Sequence, residues 1–449
     1  MITTLELTEG LEGRILTDSA DLVRYSSDAS RAIPEGLPLA VLTARTTQDV
    51  AAGVRWAARN NIRVSVRGAG TGLAGGAVAY PQGLVISLAE MDTILSIDPG
   101  NRLAEVQAGV ITADVDAAAA EYGLMYAPDP ASYRQSTIGG NIATNAGGLR
   151  CVKYGVTTDS VAGLEVVLAT GEIIRTGSKT RKNVVGYDLT SLFVGSEGTL
   201  GIVTGATVRL KPRPAGTAVT FRATFPSAAA AGRAVTAIIN SPVVPDVLEL
   251  MDRASVEIVE RFHPTGLSTA GAAILVGQFI SLSSEEDAAV ASRICQEAGA
   301  SSVEQAEGDV LLEARRVSGK ALDARGLRAS CDVAVPIARL AEMFEALEEI
   351  SADENVAIPT FAHAGDGNLH PSVVIADESA EAYTAAERIL DLITDRALSL
   401  GGTISGEHGV GSLKFGSLAK QLDPATRAAH LRIKHAFDPQ GILTPGRGV

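Results

Sequence analysis

The stretch Val66-Arg67-Gly68-Ala69-Gly70-Thr71-Gly72-Leu73-Ala74-Gly75-Gly76-Ala77 decides how the rest of the chain is read. It follows Ile62-Arg63-Val64-Ser65-Val66, an alternating β-branched run that reads as a strand. A loop this rich in glycine reaches positive φ and brings bare backbone close to a ligand. Its successive N–H groups can form a concavity for phosphate oxygens. The dinucleotide fingerprint G-x-G-x-x-G would need glycine at 73, where Leu73 stands, and a helix to follow. Pro81-Gln82-Gly83 leads instead into another strand, Leu84 to Leu88, and no G-x-x-x-x-G-K-S/T occurs. The loop therefore reads either as a phosphate cradle of neither the Rossmann nor the P-loop kind, or as a tight surface turn.

Around it lies a chain of 449 residues, 46% hydrophobic and 20% charged, which suits a soluble globular protein of two or three domains. The 46 glycines gather in a few clusters, which points to ligand loops more than to disorder. A net charge of −14 without a basic stripe argues against nucleic acid and anionic membrane surfaces. Cys151, Cys295 and Cys331 lie far apart with no C-x-x-C, which argues against an iron–sulfur cluster or zinc knuckle and for a reduced, cytoplasmic protein. Glu6, Glu9 and Glu12 replace the apolar core of a signal peptide, and no run of 18 apolar residues is present to span a membrane.

Residues 1–33 read as an N-terminal segment with some helix. Thr47 is expected to cap a helix over 48–59, with Val50, Val54 and Ala57 on one face. Strands are expected at 94–98 and 104–108, a helix at 112–122, and mostly loop over 127–148. The runs 164–169 and 173–176 flank Thr170-Gly171-Glu172 as a hairpin. A third glycine cluster, 195–204, leads into a strand ending near Leu210, and Lys211-Pro212-Arg213-Pro214 marks a domain boundary. This gives domains at 34–213 and 214–449. In the second, strands at 217–225, 246–251, 272–279, 330–335, 356–362 and 369–375 alternate with helices near 227–239, 252–261, 284–298, 309–322, 336–350 and 378–400. That rhythm predicts an α+β domain whose sheet is covered on one face.

Three glycine clusters, each beside a strand, suggest a large cofactor held extended, with Thr71, Thr137, Asn141, Asn145 and Glu197 able to bond a heterocycle or ribose. The motifs Arg67-Gly68-Ala69-Gly70-Thr71-Gly72-Leu73, Pro128-Asp129-Pro130, Thr137-Ile138-Gly139-Gly140-Asn141-Ile142-Ala143-Thr144-Asn145 and Ser196-Glu197-Gly198-Thr199-Leu200-Gly201-Ile202 resemble the FAD-binding domain of the vanillyl-alcohol oxidase / p-cresol methylhydroxylase superfamily. Within it they resemble the branch holding D-lactate dehydrogenase, D-2-hydroxyglutarate dehydrogenase and the FAD subunit of glycolate oxidase. The similarity runs from about residue 34 to the end. It implies a two-part FAD-binding domain, then an α+β substrate domain with an antiparallel sheet covered by helices and a C-terminal return to the flavin domain. It places FAD contacts at Arg67, Gly68, Ala69, Gly70, Thr71, Gly72, Leu73, Pro128, Asp129, Thr137, Gly139, Gly140, Asn141, Ala143, Asn145, Glu197, Gly201 and Ile202. Members with covalent flavin carry histidine or cysteine in these loops. The 66–77 loop has no histidine and the only nearby cysteine is Cys151, so the FAD is expected to be non-covalent.

A second set of residues lies in His363-Ala364-Gly365-Asp366-Gly367-Asn368-Leu369-His370 and Ser405-Gly406-Glu407-His408-Gly409-Val410-Gly411. The glycines forbid a helix between the two histidines and make a turn between strands, so the imidazoles flank a hairpin. Two histidines and a carboxylate form a metal set that leaves positions open for substrate; each histidine alone also reads as structural. The family resemblance implies a divalent metal, Zn or Mn, on His363, His370 and Glu407, with His408 as catalytic base and Arg315 on the substrate carboxylate. It implies that a 2-hydroxy acid is oxidised, the base taking the hydroxyl proton and flavin N5 the hydride. Asp366 and Asn368 are expected to aim the ligands.

The chain departs from the hydroxyglutarate pattern at Ser330, Gly319 and Ser372, where those enzymes share a lysine, a threonine and an asparagine. A monocarboxylate such as glycolate or D-lactate is therefore expected, with D-2-hydroxyglutarate the alternative. A non-redox relative, alkyl-dihydroxyacetone-phosphate synthase, resembles a triple-histidine motif where this chain has Gly406-Glu407-His408-Gly409. A flavin subunit that only passes electrons is the third reading, and the intact Glu407-His408 pair speaks against it. The electron acceptor (a quinone, an electron-transfer flavoprotein or a cytochrome) is not named by the sequence; such a partner would place the protein at a membrane periphery. A homodimer is compatible with the resemblance.

Overall fold

The run before the glycine loop forms the strand Val64–Arg67, at the edge of a four-stranded sheet. Leu84–Ser87 and Ala40–Thr43 follow in parallel, and Arg14–Leu16 closes the other edge antiparallel. The structure, a computed structural model, describes residues 10–448 except 265–272, 309–311, 327, 376 and 378. Ala40–Thr43 and Leu84–Ser87 are buried along their whole length, as parallel strands covered on both faces must be. On one face lies the helix Thr47–Arg59, which presents Val50, Val54, Trp56 and Ala57 to Leu42, Leu84 and Ile86.

The cap of that helix is Thr46, one residue before the expected Thr47. An N-cap needs extended backbone and a side-chain acceptor; Thr46 has φ −130 and ψ 158, and its hydroxyl accepts from Asp49 N at 3.1 Å. Asp49 closes the capping box and does more, accepting from the backbone N–H of Glu12, Gly13, Arg45 and Thr46 at 2.9–3.1 Å. Its carboxylate thereby ties down the Arg14–Leu16 strand, which the sequence reading did not separate from its helical N-terminal segment.

Two compact units divide the chain: residues 1–148, 155–213 and 407–449 form one, and 149–154 with 214–406 the other. The first also contains a five-stranded antiparallel sheet in the order Ile94–Asp98, Leu103–Gln107, Ile202–Arg209, Val161–Val167, Ile173–Gly177, which includes the expected hairpin about residues 170–172. The stretch 127–148 is not all loop, because Ile138–Thr144 is helical. Its paired glycines read as breakers, yet Thr137 caps it and Ile138 and Ile142 bury one helical face. Gly139 is there for close approach, since a Cβ would stand 2.7 Å from that of Ala108. The unexpected helix Pro424–Phe437 returns the chain to this unit, where Phe437 meets Phe193 edge-on at 5.4 Å and Lys434 Nζ donates to Thr199 O at 2.7 Å. Farther on, Leu443 bridges Val64 in parallel and covers the open edge of the first sheet.

The second unit is one antiparallel sheet in the order Ser302–Glu307, Ala218–Phe225, Ala273–Ile280, Val247–Asp252, Thr360–His363, Asn368–Val374, Arg328–Ser330. The polar edge strand Ser302–Glu307 was not expected, and the expected strand 330–335 breaks at Cys331-Asp332 into Arg328–Ser330 and Val333–Ala334. Helices Ala228–Ile239, Ser284–Glu297, Leu340–Asp353 and Ala380–Ser399 pack on one face. The other face is covered as well, by Arg253–Phe262 and Glu313–Asp323 over Val247, Met251, Ile274, Val276 and Phe361. This corrects the one-face expectation. Runs such as Ala273-Ile274-Leu275-Val276 are apolar on both alternations and need cover on both sides. The first residues of the expected helix 309–322 and strand 272–279 lie outside the described residues. No helix among the described residues is long and apolar enough to cross a membrane.

Asp49 sets an ordered pair of expectations. Thr46→Ala should cost about 1 kcal/mol, the usual value of a cap. Asp49→Ala strips the acceptor from several backbone donors at about 1 kcal/mol or more each, and should lower the melting temperature several times as far. Thermal melts of the two variants check this.

Candidate active site

In the first unit the glycine clusters converge. A Cβ on Gly68 would fall 2.3 Å from Thr137 Oγ1, so the first loop passes against the start of the 138–144 helix. Gly195 N and Glu197 N donate to Ile142 O at 2.9 Å and Ala143 O at 2.8 Å, which brings the third cluster to the same helix. Bare backbone from three segments thus gathers in one place, and this fits a group held largely through its phosphates and ring edges. Arg67 closes the loop onto the N-terminal segment, bonding Ser27 O with its guanidinium 5.9 Å from the Tyr25 ring centre. Ala29 N reaches Gly70 O at 3.0 Å.

Several expected cofactor contacts are partly occupied by the fold itself. Asn141 Nδ2 donates to Thr112 Oγ1 at 2.7 Å, and Asn145, a left-handed C-cap at φ 53, accepts from Thr158 N at 2.9 Å. Thr137 Oγ1 accepts from Gly140 N at 3.2 Å. The Glu197 carboxylate accepts from Val410 N and Gly411 N, each at 2.7 Å. Burial pushes its carboxyl above the ordinary range, and those two amides pull the other way. Leu73 is half exposed, Pro128 is buried beside a partly buried Asp129, and the buried Gly201 precedes Ile202, the first residue of the strand Ile202–Arg209.

In the second unit the two histidines stand on adjacent antiparallel strands, with His363 opposite Asn368 and His370 opposite Phe361. Their ring centres are 5.2 Å apart and edge-on, so the hairpin brings them together. Strand alternation puts Glu249, Phe361, His363, His370 and Ser372 on one face of the sheet, the face that carries the helix with Arg315. Glu249 is the first of two residues that sequence reasoning missed. It is 1% exposed; its Oε1 lies 2.8 Å from His363 Nδ1 and its Oε2 2.6 Å from Arg315 Nε. One carboxylate therefore orients both a candidate metal ligand and a candidate substrate cation. An imidazole that gives Nδ1–H to a carboxylate keeps Nε2 for a ligand. Arg315 is further fixed by Ser318 Oγ at 3.0 Å and lies 5.6 Å over the Phe361 ring. The side chain of its neighbour Arg316 lies outside the described part. The available signal was a lone acid in the apolar run Val247-Leu248-Glu249-Leu250-Met251.

Asp332 is a second missed carboxylate, fully buried where the expected strand breaks. It accepts from Asn368 Nδ2 at 2.8 Å, Ser405 Oγ at 2.8 Å and Gly406 N at 3.0 Å, and its Oδ1 is 3.8 Å from His370 Nδ1. Asn368 is held as well by Asp366, which accepts its N–H at 3.3 Å. The chain then enters the first unit at Glu407, whose Oε1 lies 3.9 Å from His408 Nε2. At the far end of the histidine strand, Ser330 Oγ and Ser372 Oγ are 3.0 Å apart. Arg328 Nη1 donates to Ser330 Oγ, and its Nε and Nη2 reach Asp323 Oδ1 at 3.3 and 3.2 Å.

Residues 216–447 match the family described as FAD linked oxidases, C-terminal domain, and residues 38–177 match the one described as FAD binding domain. The chain belongs to the FAD-linked oxidase family. It is 42% identical over 433 residues to the glycolate oxidase subunit GlcD of Bacillus subtilis, covering 94% of this chain and 91% of that one. It is 36% identical to a D-lactate dehydrogenase of Anaerostipes hadrus, covering 94% and 92%. Among solved structures, p-cresol methylhydroxylase with substrate bound superposes with a TM-score of 0.80 at 18% identity over 97% of this chain and 93% of that one, a likeness of fold. This member of the family is an FAD-linked oxidoreductase.

Glu249→Gln removes one acceptor from the Arg315–His363 bridge at little change of shape. It should lower turnover about 10–100-fold, because His363 and Arg315 lose the group that holds them in one orientation. Flavin absorbance per chain should stay at the wild-type value. Steady-state rates on flavin-replete protein measure it.

Proposed function

We propose that this FAD-linked oxidoreductase oxidises a D-2-hydroxy acid to the 2-oxo acid and favours a glycolate- or D-lactate-like monocarboxylate. The observation that carries the reading is the buried Glu249, which aims His363 and Arg315 from one face of the sheet. The named activities of the relatives point the same way. FAD, held without a covalent bond at the converging glycine loops, supplies the hydride acceptor when bound.

His363, His370 and Glu407 are the residues to hold a divalent metal, Zn or Mn. Imidazole and carboxylate suit such an ion, which supplies Lewis acidity that eases loss of the hydroxyl proton. Support for His363 comes from its Nδ1 contact to Glu249, which fixes the orientation of the ring. Support for Glu407 comes from the chain itself, since it follows Gly406, whose N–H is fixed by the Asp332 carboxylate that also approaches His370.

His408 removes the hydroxyl proton, a role worth about 10²–10⁴-fold. Arg315 holds the substrate carboxylate, and Glu249 and Ser318 set the plane of its guanidinium. The electron acceptor that reoxidises the cofactor is a quinone, an electron-transfer flavoprotein or a cytochrome.

D-2-hydroxyglutarate is the second reading. A distal carboxylate would need a cation beyond His370, and what stands there is the Ser330–Ser372 hydroxyl pair. The nearby Arg328 is already engaged by Asp323. A buried carboxylate left poorly paired costs several kcal/mol.

Two outcomes test this. Chelation should abolish flavin reduction while FAD stays bound, added Zn²⁺ or Mn²⁺ should restore it, and His408→Ala should keep the metal by elemental analysis yet lose the reaction; acid precipitation should release the flavin to the supernatant. In steady-state assays, kcat/KM for glycolate or D-lactate should exceed that for D-2-hydroxyglutarate and D-malate by at least about tenfold, and Ser330→Lys should narrow the gap. Equal values for D-lactate and D-2-hydroxyglutarate would mean that another cation, Arg328 or Arg316, serves the second carboxylate.

A further inference from the structure

We infer that Glu197 is a positioning residue for the proton-abstracting loop, its carboxylate holding the Glu407-His408-Gly409 turn against the cofactor-binding unit. The inference rests on the reading of His408 as base. Within this unit both Glu197 oxygens are committed to the loop: Oε1 accepts Val410 N–H and Oε2 accepts Gly411 N–H, at 2.7 Å each. Gly409, at φ +86, lies so near that a Cβ would stand 3.0 Å from Oε1. Two amides on one carboxylate fix both the distance and the direction of the turn.

The anchor is itself immobilised. Glu197 sits at φ 52, the left-handed region that few non-glycine residues occupy, between Gly195 and Gly198, both at positive φ. Its own N–H is spent on Ala143 O at 2.8 Å, and Thr444 Oγ1 donates to its carbonyl at 3.4 Å. Beyond Gly411 the loop continues along the first glycine cluster, with Leu413 N on Ala74 O at 3.2 Å and Ser412 Oγ on Gly75 O at 3.4 Å. The Glu-His loop is thus moored to two of the segments that converge around the cofactor. A side chain in a glycine cluster that would be assigned to flavin contact serves instead to fix where His408 stands. A reacting group displaced by about 1 Å can lose 10²-fold in rate, which is the scale at which such a mooring acts.

The test uses flavin-replete wild type, Glu197→Gln, Glu197→Asp and His408→Ala. It measures FAD per chain, amide hydrogen exchange over 407–413, and flavin reduction by glycolate or D-lactate under anaerobic conditions. Glu197→Gln replaces one acceptor with an NH₂ that faces an N–H. It should retain FAD, lose exchange protection at Val410 and Gly411, and reduce flavin roughly 10²-fold more slowly with KM little changed, a loss confined to the transition state. Glu197→Asp, which keeps the charge one methylene short, should recover part of the rate and of the protection. Wild-type exchange at 410–411 in Glu197→Gln overturns the inference, as does a wild-type rate in that variant while His408→Ala is inactive. Loss of FAD as the sole defect also overturns it and returns Glu197 to the cofactor. If His408→Ala reduces flavin normally while Glu197→Gln still frees the two amides, the mooring stands and the base assignment is what fails.

Discussion

A carboxylate with almost no access to water, flanked along its strand by Val247, Leu248, Leu250 and Met251, is the constraint from which the candidate site follows. A buried carboxyl group without hydrogen-bond partners costs several kcal/mol. Arg315 and His363 satisfy that of Glu249 from a helix and from a neighbouring strand. The pairing works in both directions: the acid is stabilised by its partners, and each partner is held in one orientation. Removing any member would leave the others exposed to the same penalty, so the cluster is rigid for the reason that makes it expensive.

The same device recurs at both ends of the Glu407-His408 turn. Asp332 takes the N–H of Gly406 just before the turn, and Glu197 takes those of Val410 and Gly411 just after it. Each anchor is a carboxylate accepting backbone amides, a bond stronger than one between neutral groups. Asp49 does a related job at the start of the chain, gathering backbone donors from two separate segments. Loops rich in glycine have little side-chain packing to define them. Here acidic side chains provide the definition that packing cannot.

What could be read in the sequence was whatever is encoded locally. Glycine spacing marked three segments whose backbones converge in the first unit, and the glycines between His363 and His370 required a turn, which places the imidazoles on paired strands. Alternation of apolar residues located most strands and helices of both units. What could not be read depends on partners far along the chain. Glu249 meets His363 across 114 residues and Arg315 across 66, and nothing near Glu249 announces either. The 138–144 helix was hidden because paired glycines argue for loop until Ala108 is known to press against Gly139. The cap was misplaced by one residue because Thr46 and Thr47 are alike locally, and the extended backbone of the first decides between them.

The bridge from Leu443 to Val64 also constrains how the molecule is made. The Val64–Arg67 strand has one hydrogen-bonded neighbour in its sheet until Ile442, Leu443 and Thr444 arrive. On a ribosome adding about 5–20 residues per second, that edge waits roughly 20–80 s for its cover. During this interval the entire second unit is synthesised from within an unfinished first one. An open parallel edge invites pairing with other chains, so the nascent protein passes through a period of exposure that the finished fold does not reveal.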